Sequence, residues 1–164
     1  MLETRSPIGP NAKFEIAGLV LGEAPGFELT QLAGEEKALK RALGDLPDFG
    51  QATGSKDQTV MRVSPSQVWV LGELPRTIGL HVTPLSSSRT RIAVEGEKAR
   101  ALLSACSAVD FDASTFKSGH FVMTGIHHTP VLIHCRKPNQ FHIYAMRSFA
   151  LSVWEWLVDA AQTL

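Results

Sequence analysis

The 164-residue sequence has few cysteines, no excess of either charge and no long hydrophobic run, and each shortage excludes a class of protein. Its two cysteines, Cys106 and Cys135, cannot form a disulfide framework, so we expect buried thiols in a reducing compartment. Sixteen basic and sixteen acidic residues give no electrostatic signature of nucleic-acid or anionic-membrane binding. No apolar run approaches the roughly 18 residues of a membrane helix, and the N-terminus lacks the apolar segment of a signal peptide. These features predict a cytoplasmic globular protein.

Nucleotide-binding and metal-binding motifs are also missing. The sequence contains neither GxGxxG nor GxxxxGK[ST], and none of HExxH, CxxC and HxH. Its histidines are nevertheless concentrated after residue 119, at His120, His127, His128, His134 and His142. Strand alternation places His134 and His142 on one face of neighbouring strands, with His120 near them. We expect satisfied polar side chains there, with a pH-sensitive subunit contact favoured over a metal site.

The candidate nucleophiles have structural interpretations. Cys135 follows His134, but adjacent residues of a strand point to opposite faces and cannot form a catalytic dyad. Cys135 is therefore expected to be a small core residue. Ser86–Ser88 lacks the GxSxG elbow, and a turn or cap is the expected role.

Periodicity and turn residues predict an alternation of strands and helices after an irregular arm at residues 1–12. Strands are expected at 14–21, 27–32, 59–63, 68–71, 89–94, 121–124, 131–135 and 141–145. Helices are expected at 35–43, at 97–104 and from Ser148, whose hydroxyl is the predicted N-cap of the last helix. Residues 45–58 and 108–118 are predicted loops, and residues 74–80 are expected to contain a helical turn.

The pattern repeats once along the chain. Gly34 and Gly96 precede similar helical segments and lie 62 positions apart, and the same offset places Met61 on Met123. The sequence therefore predicts one α+β domain over residues 13–164, built of two degenerate βαββ-type halves at about 13–80 and 82–164. Its sheet is expected to be mainly antiparallel, with packed helices.

The last helix is more apolar than a surface helix of a small monomer. Its polar residues form one narrow stripe: Ser152, Glu155, Asp159 and Gln162. The helix therefore needs cover on more than one side. Trp154 and Trp156 point about 200° apart, so at most one of them faces the same core. The other is either packed by loops of this chain or an anchor for another protein.

Several segments together resemble the gamma subunits of heterotetrameric sarcosine oxidases, which are similar to the N-terminal folate-binding part of aminomethyltransferases. They are residues 85–103 (LSSSRTRIAVEGEKARALL), 109–112 (VDFD), 116–119 (FKSG), 141–150 (FHIYAMRSFA) and 156–157 (WL). The hairpin at 63–71 matches approximately, with Ser66 and Gln67 where that family has an acidic pair. The resemblance is best over residues 82–161.

The resemblance implies a non-catalytic subunit of a complex that oxidatively demethylates sarcosine to glycine, with one-carbon transfer to tetrahydrofolate. It implies alpha, beta and delta subunits as partners. FAD, FMN, NAD, tetrahydrofolate and zinc would be bound by those partners, and this chain would supply no catalytic, cofactor-binding or metal-binding residue. Three alternatives stay open: a stand-alone folate-binding one-carbon protein, a gamma-like subunit of a related N-methyl amino acid oxidase or dehydrogenase, and an independent enzyme that uses the histidines with a metal.

Overall fold

The computed structural model describes residues 5–55 and 57–164 as a succession of short strands and three α-helices. The strands are β1 (Lys13–Ile16), β2 (Leu19–Glu23), β3 (Leu29–Ala33), β4 (Ala52–Gly54), β5 (Gln58–Ser64), β6 (Gln67–Gly72), β7 (His81–Pro84), β8 (Arg89–Glu95), β9 (Phe121–Ile126), β10 (Thr129–Lys137) and β11 (Gln140–Met146). The helices are α1 (Glu36–Leu43), α2 (Ala99–Cys106) and α3 (Ala150–Ala161), with 3₁₀ turns at Ser86–Ser88 and Arg147–Phe149. The paired strands form two antiparallel sheets, which confirms the α+β class.

One compact unit combines the two ends of the chain. It comprises the described residues up to Pro25 together with Ser88–Ser118 and Val122–Leu164. Its sheet has the strand order β1-β2-β8-β11-β10-β9, and α2 and α3 supply apolar side chains to the same core. The core includes Leu21, Ile92, Val94, Leu102, Leu103, Phe111, Phe141, Ile143, Val153 and Leu157.

Strand alternation decides which side chains of β11 enter this core. Phe141, Ile143 and Ala145 belong to it. Phe141 and Ile143 lie opposite core residues of both β10 and β8, and Ala145 lies opposite the core residue Val131 of β10. His142 and Tyr144 lie on the other face, because successive side chains of a strand point to opposite sides. Both faces of β11 are buried, so the strand reads as an unbroken apolar and aromatic run.

The second compact unit comprises the described residues of Gly26–Ser87 together with Gly119–Phe121. Its sheet has the order β4-β5-β6-β3-β7, and α1 contributes the buried Leu39 to a small core. That core also contains Leu32, Val60, Val68 and Val70. The predicted hairpin of residues 59–71 is confirmed as β5 and β6.

The element bounds keep the spacing on which the predicted repeat rests. Shifting β3, α1, β5 and β6 by 62 positions places them on β8, α2, β9 and β10 to within three residues at every boundary. The strand order differs, however: β3 pairs directly with β6, whereas β11 lies between β8 and β10. The two compact units also differ from the two predicted halves, since the strands before Pro25 belong with the C-terminal part of the chain.

Several local predictions need correction. The segment 14–21 forms two strands instead of one, with a turn at Gly18, whose φ of 80° suits glycine. Residues 74–80 contain no helical turn, and the unexpected strand β7 follows them. The predicted loop 45–58 contains the short strand β4.

The predicted N-terminal arm lies partly outside the described residues, which begin at Arg5. Within the described part, Ile8 is buried in the core of the first unit. The helices have 8, 8 and 12 residues, so none in the described chain is long enough to cross a bilayer.

Candidate interaction surface on the C-terminal helix

The helix α3 begins at Ala150, directly after the 3₁₀ turn Arg147–Phe149. The N-cap residue is Phe149 and makes no side-chain capping hydrogen bond. The expectation that Ser148 caps this helix is therefore wrong, because Ser148 lies within the 3₁₀ turn. The inward face consists of Ala150, Val153, Leu157 and Ala161, whose spacing of three and four residues keeps them on one side.

The outward face of α3 mixes apolar and acidic side chains. The predicted polar stripe is exposed along the helix, but Leu151 and Trp156 are exposed beside it, at 48% and 44%. A surface helix usually turns its large apolar side chains toward the core and its polar side chains toward solvent. We call the set Leu151, Ser152, Glu155, Trp156 and Asp159 the outer face of α3.

The two tryptophans of α3 have different environments. Trp154 is half-buried and packs against the core of the first unit, whereas Trp156 is exposed. The expectation that only one of them faces that core is thus confirmed. Trp156 is also stacked on His127, with ring centroids 4.0 Å apart and planes inclined by 24°.

His127 lies in the tight turn between β9 and β10 with a φ of 54°. A positive φ is uncommon for a residue other than glycine, and the indole ring holds this side chain against α3. The predicted strands at 121–124 and 131–135 leave six residues between them, and His127 lies in that gap. The sequence carried no signal for the contact with Trp156, because nothing in the gap points to a distant ring partner.

Trp156 and Asp159 separate two grooves. The larger has a volume of about 500 Å³ and is lined by Trp154, Glu155, Trp156, Val158, Asp159 and Gln162. The smaller has a volume of about 290 Å³ and is lined by Ala105, Cys106, Ile126, His127, Trp156, Asp159, Ala160 and Thr163. Aromatic, aliphatic and carboxylate groups therefore occur together at this surface.

The charge of the outer face is entirely negative. The helix contains no lysine, arginine or histidine, and its only ionisable side chains are Glu155 and Asp159. Neither carboxylate has a cationic nitrogen within 4.0 Å in the part of the chain that the structure describes. Asp159 also lies in the last turn, where the helix dipole disfavours negative charge.

The histidine pair predicted on neighbouring strands is present. His134 of β10 lies directly opposite His142 of β11, and both side chains are buried. Desolvation, with a smaller contribution from Arg136, lowers the pKa of His134 to about 4. Desolvation, followed by the charges of Arg91 and Arg136, lowers the pKa of His142 to about 3. Both imidazoles are consequently neutral near pH 7.

The pair does not form a metal centre with the other histidines. His120 belongs to the second compact unit, where it forms an isolated bridge with Gln51. No group of three or more potential metal ligands occurs among residues 5–55 and 57–164. The Nδ1 atoms of His134 and His142 have no hydrogen-bond partner within those residues, so the prediction of satisfied polar side chains fails at this atom.

The candidate nucleophiles are used in packing. Cys135 is fully buried opposite Phe141, on the face of the sheet away from His134, and desolvation raises the pKa of its thiol. The Ser86 hydroxyl accepts a hydrogen bond from the backbone N–H of Leu29 at 2.9 Å and lies 3.3 Å from its carbonyl oxygen. Cys135 is thus a core residue, as predicted, and Ser86 begins the 3₁₀ turn Ser86–Ser88, which agrees with the predicted turn.

The fold, and not a sequence match, defines the class of the protein. No protein-family model matches the sequence, and no curated protein matches it. The arrangement of two antiparallel sheets and three helices is that of an aminomethyltransferase-like α+β fold.

Two solved structures show this likeness. A chain of the heterotetrameric sarcosine oxidase from Corynebacterium sp. U-96 aligns with a TM-score of 0.79 and 21% identity, over 88% of this chain and 84% of that chain. The glycine cleavage system aminomethyltransferase T from Bartonella henselae aligns with a TM-score of 0.60 and 15% identity, over 83% of this chain and 44% of its own. This chain therefore spans less than half of that aminomethyltransferase. The resemblance inferred from the sequence is confirmed at the level of the fold.

Proposed function

We propose that this chain is a non-catalytic, gamma-type subunit of a complex that oxidatively demethylates sarcosine or a related N-methyl amino acid. One observation carries the proposal: the alignment with a chain of a heterotetrameric sarcosine oxidase covers 88% of this chain and 84% of that chain. The two chains are therefore of nearly equal length. The aminomethyltransferase, in contrast, extends well beyond the aligned part.

In this proposal the chain contributes a packing surface and no reacting group. Supporting this role, the candidate catalytic side chains are committed to the fold, with Cys135 in the core and Ser86 bound to β3. FAD, FMN, NAD, tetrahydrofolate and zinc would be held by the alpha, beta and delta subunits. The outer face of α3 supplies the kind of surface that a permanent subunit covers, because it exposes large apolar groups.

Co-expression with the large flavoprotein subunits of a sarcosine oxidase-type complex from the same genome tests the proposal. We expect the chain to co-purify with them in a fixed ratio and to raise the yield of soluble complex. The flavin content per large subunit should be the same with and without this chain, since the chain holds no flavin. Failure of the chain to co-purify would contradict the proposal.

The likeness to aminomethyltransferase T favours one second candidate, a stand-alone folate-binding protein. Titration of the isolated chain with tetrahydrofolate separates the two functions. Binding at about micromolar concentration would support the folate-binding protein, because such an affinity corresponds to a specific site. The subunit proposal expects no saturable binding by the isolated chain.

A further inference from the structure

We propose that the outer face of α3 binds a cationic segment of a partner subunit, with an arginine or lysine side chain beside Trp156 and paired with Glu155 and Asp159. The inference rests on the proposed function, which requires a partner, and adds the location and chemistry of the contact. Its basis is the combination of unpaired negative charge, an exposed indole and a groove at one surface.

The electrostatics of α3 are unfavourable in the free chain. Glu155 and Asp159 are four residues apart, so their carboxylates are neighbours on the helix surface and repel each other. Asp159 is also placed against the helix dipole in the last turn. The described residues offer neither carboxylate a cation within 4.0 Å. A positive side chain from outside would relieve both conflicts at once.

Trp156 supplies the second half of the contact. A cation close to the face of an indole ring is attracted by the ring's quadrupole, and tryptophan is the best aromatic residue for this contact. His127 lines the smaller groove only, so the larger groove reaches Trp156 from a side that His127 does not cover. The larger groove is also the one that contains both carboxylates.

The groove has the size and composition for a protein side chain. Its volume of about 500 Å³ exceeds that of one arginine, and Trp154 and Val158 add apolar wall for the aliphatic stem. A planar guanidinium can stack on the indole and donate to a carboxylate at the same time, which makes arginine the better occupant. A neutral or acidic partner segment would leave Glu155 and Asp159 desolvated without a counter-charge.

Two variants and one matched control test the inference in binding measurements with the co-expressed flavoprotein subunits as the probe. Glu155→Gln with Asp159→Asn removes the charge, and Trp156→Ala removes the indole. We expect each to weaken binding by about tenfold or more. Asp45→Asn with Glu97→Gln removes two exposed charges elsewhere and should bind like the unaltered chain.

Salt dependence distinguishes a charged contact from a general loss of packing. Between about 50 and about 300 mM NaCl the unaltered chain should lose affinity, because salt screens the ion pairs. The Glu155→Gln, Asp159→Asn chain should show a smaller loss over the same range. The substituted side chains are exposed, so we expect each variant to fold like the unaltered chain. Circular dichroism spectra check that it does.

The outcomes separate this inference from the proposed function. If the unaltered chain is not retained by the flavoprotein subunits, the proposed function fails and the inference fails with it. If the unaltered chain is retained and the charge-neutral variant binds with the same affinity and salt dependence, the inference alone is overturned.

Discussion

His134 and His142 face each other across the β10–β11 pair, and both imidazoles are buried without a hydrogen-bond partner at Nδ1 within the described residues. Burial holds both rings in the neutral form, and Arg91 and Arg136 add repulsion to any positive charge placed there. The folded chain therefore resists protonation that the unfolded chain accepts. This difference links the stability of the fold to pH.

The free energy of unfolding is expected to fall as the pH is lowered from about 7 to about 5. An unfolded histidine takes up a proton near pH 6.5, whereas folded His134 and His142 do so only near about 4 and about 3. Their contribution to the free energy of unfolding is complete above about pH 6.5, and it is lost as the pH falls below that value. At about pH 5 the loss is about 2 kcal/mol for each histidine. Urea denaturation at several pH values measures it.

A substitution assigns this pH dependence to the pair. His142→Phe keeps an aromatic ring of similar size and cannot titrate, so the stability difference between about pH 7 and about pH 5 should shrink by about half. Equal stability of the unaltered chain at both pH values would refute the assignment.

Arg100 is expected to stabilise the loop of residues 108–118, which follows α2. Its guanidinium donates to the carbonyl oxygens of Phe111 at 2.5 Å and Phe116 at 2.9 Å, and it lies 5.2 Å from the ring centroid of Phe141. The Nε–H of the guanidinium also donates to Asn139 Oδ1 at 3.3 Å, and a single ammonium group cannot reach all of these partners, so Arg100→Lys should cost about 2 kcal/mol of stability. Hydrogen exchange should also quicken between residues 108 and 118.

The control for Arg100 is an exposed arginine of α1. Arg41→Lys should change the free energy of unfolding by less than about 0.5 kcal/mol, as surface substitutions generally do. Similar effects of Arg100→Lys and Arg41→Lys would mean that the contacts of Arg100 add little to stability.

Trp154→Ala and Trp156→Ala should lower the stability of the isolated chain by different amounts. Trp154 packs against the core, so its removal should cost about 3 kcal/mol in the isolated chain. Trp156 is exposed and chiefly stacks on His127, so its removal should cost only about 1 kcal/mol. Thermal or urea denaturation of the two isolated variants ranks them, and a larger loss for Trp156→Ala would contradict the structure.

Gly96→Ala tests the close approach at the end of β8. The φ of Gly96 is 120°, and a Cβ there would lie 2.3 Å from the carbonyl oxygen of Gly18. Backbone would have to move, so we expect a loss of at least about 3 kcal/mol in urea denaturation.

Gly26→Ala is the matched control for that contact. The φ of Gly26 is 70°, but a Cβ there meets no atom within 4 Å. Its cost should therefore be the conformational strain alone, about 1 kcal/mol. Equal costs at Gly96 and Gly26 would show that the collision with Gly18 is relieved without strain elsewhere.

The sequence predicted those elements whose own pattern is strong. The helices α1 and α2 were found from one-face apolar spacing to within two residues at each boundary. Strand alternation placed His134 and His142 on one face of neighbouring strands, and the structure adds that they lie directly opposite each other. The repeat, predicted from two short helical segments, stays a prediction, and the element bounds keep its offset of 62 residues.

Other features depend on contacts that no local pattern records. The edge strand β7 (His81–Pro84) has four exposed residues and so lacks the alternation that marks a strand. The place of β11 between β8 and β10 is a choice of strand partners, and an apolar run fits either position. The stacking of Trp156 on His127 joins an α-helix to a distant turn, so neither segment predicts it alone.

The proposed role as a subunit of an oxidoreductase complex is tested most directly by purification of the tagged chain from its native host. Native mass spectrometry of the purified material should show the chain in a fixed ratio with large flavin-containing subunits. Recovery of the chain alone, or with proteins that bind no flavin, would contradict the proposed role.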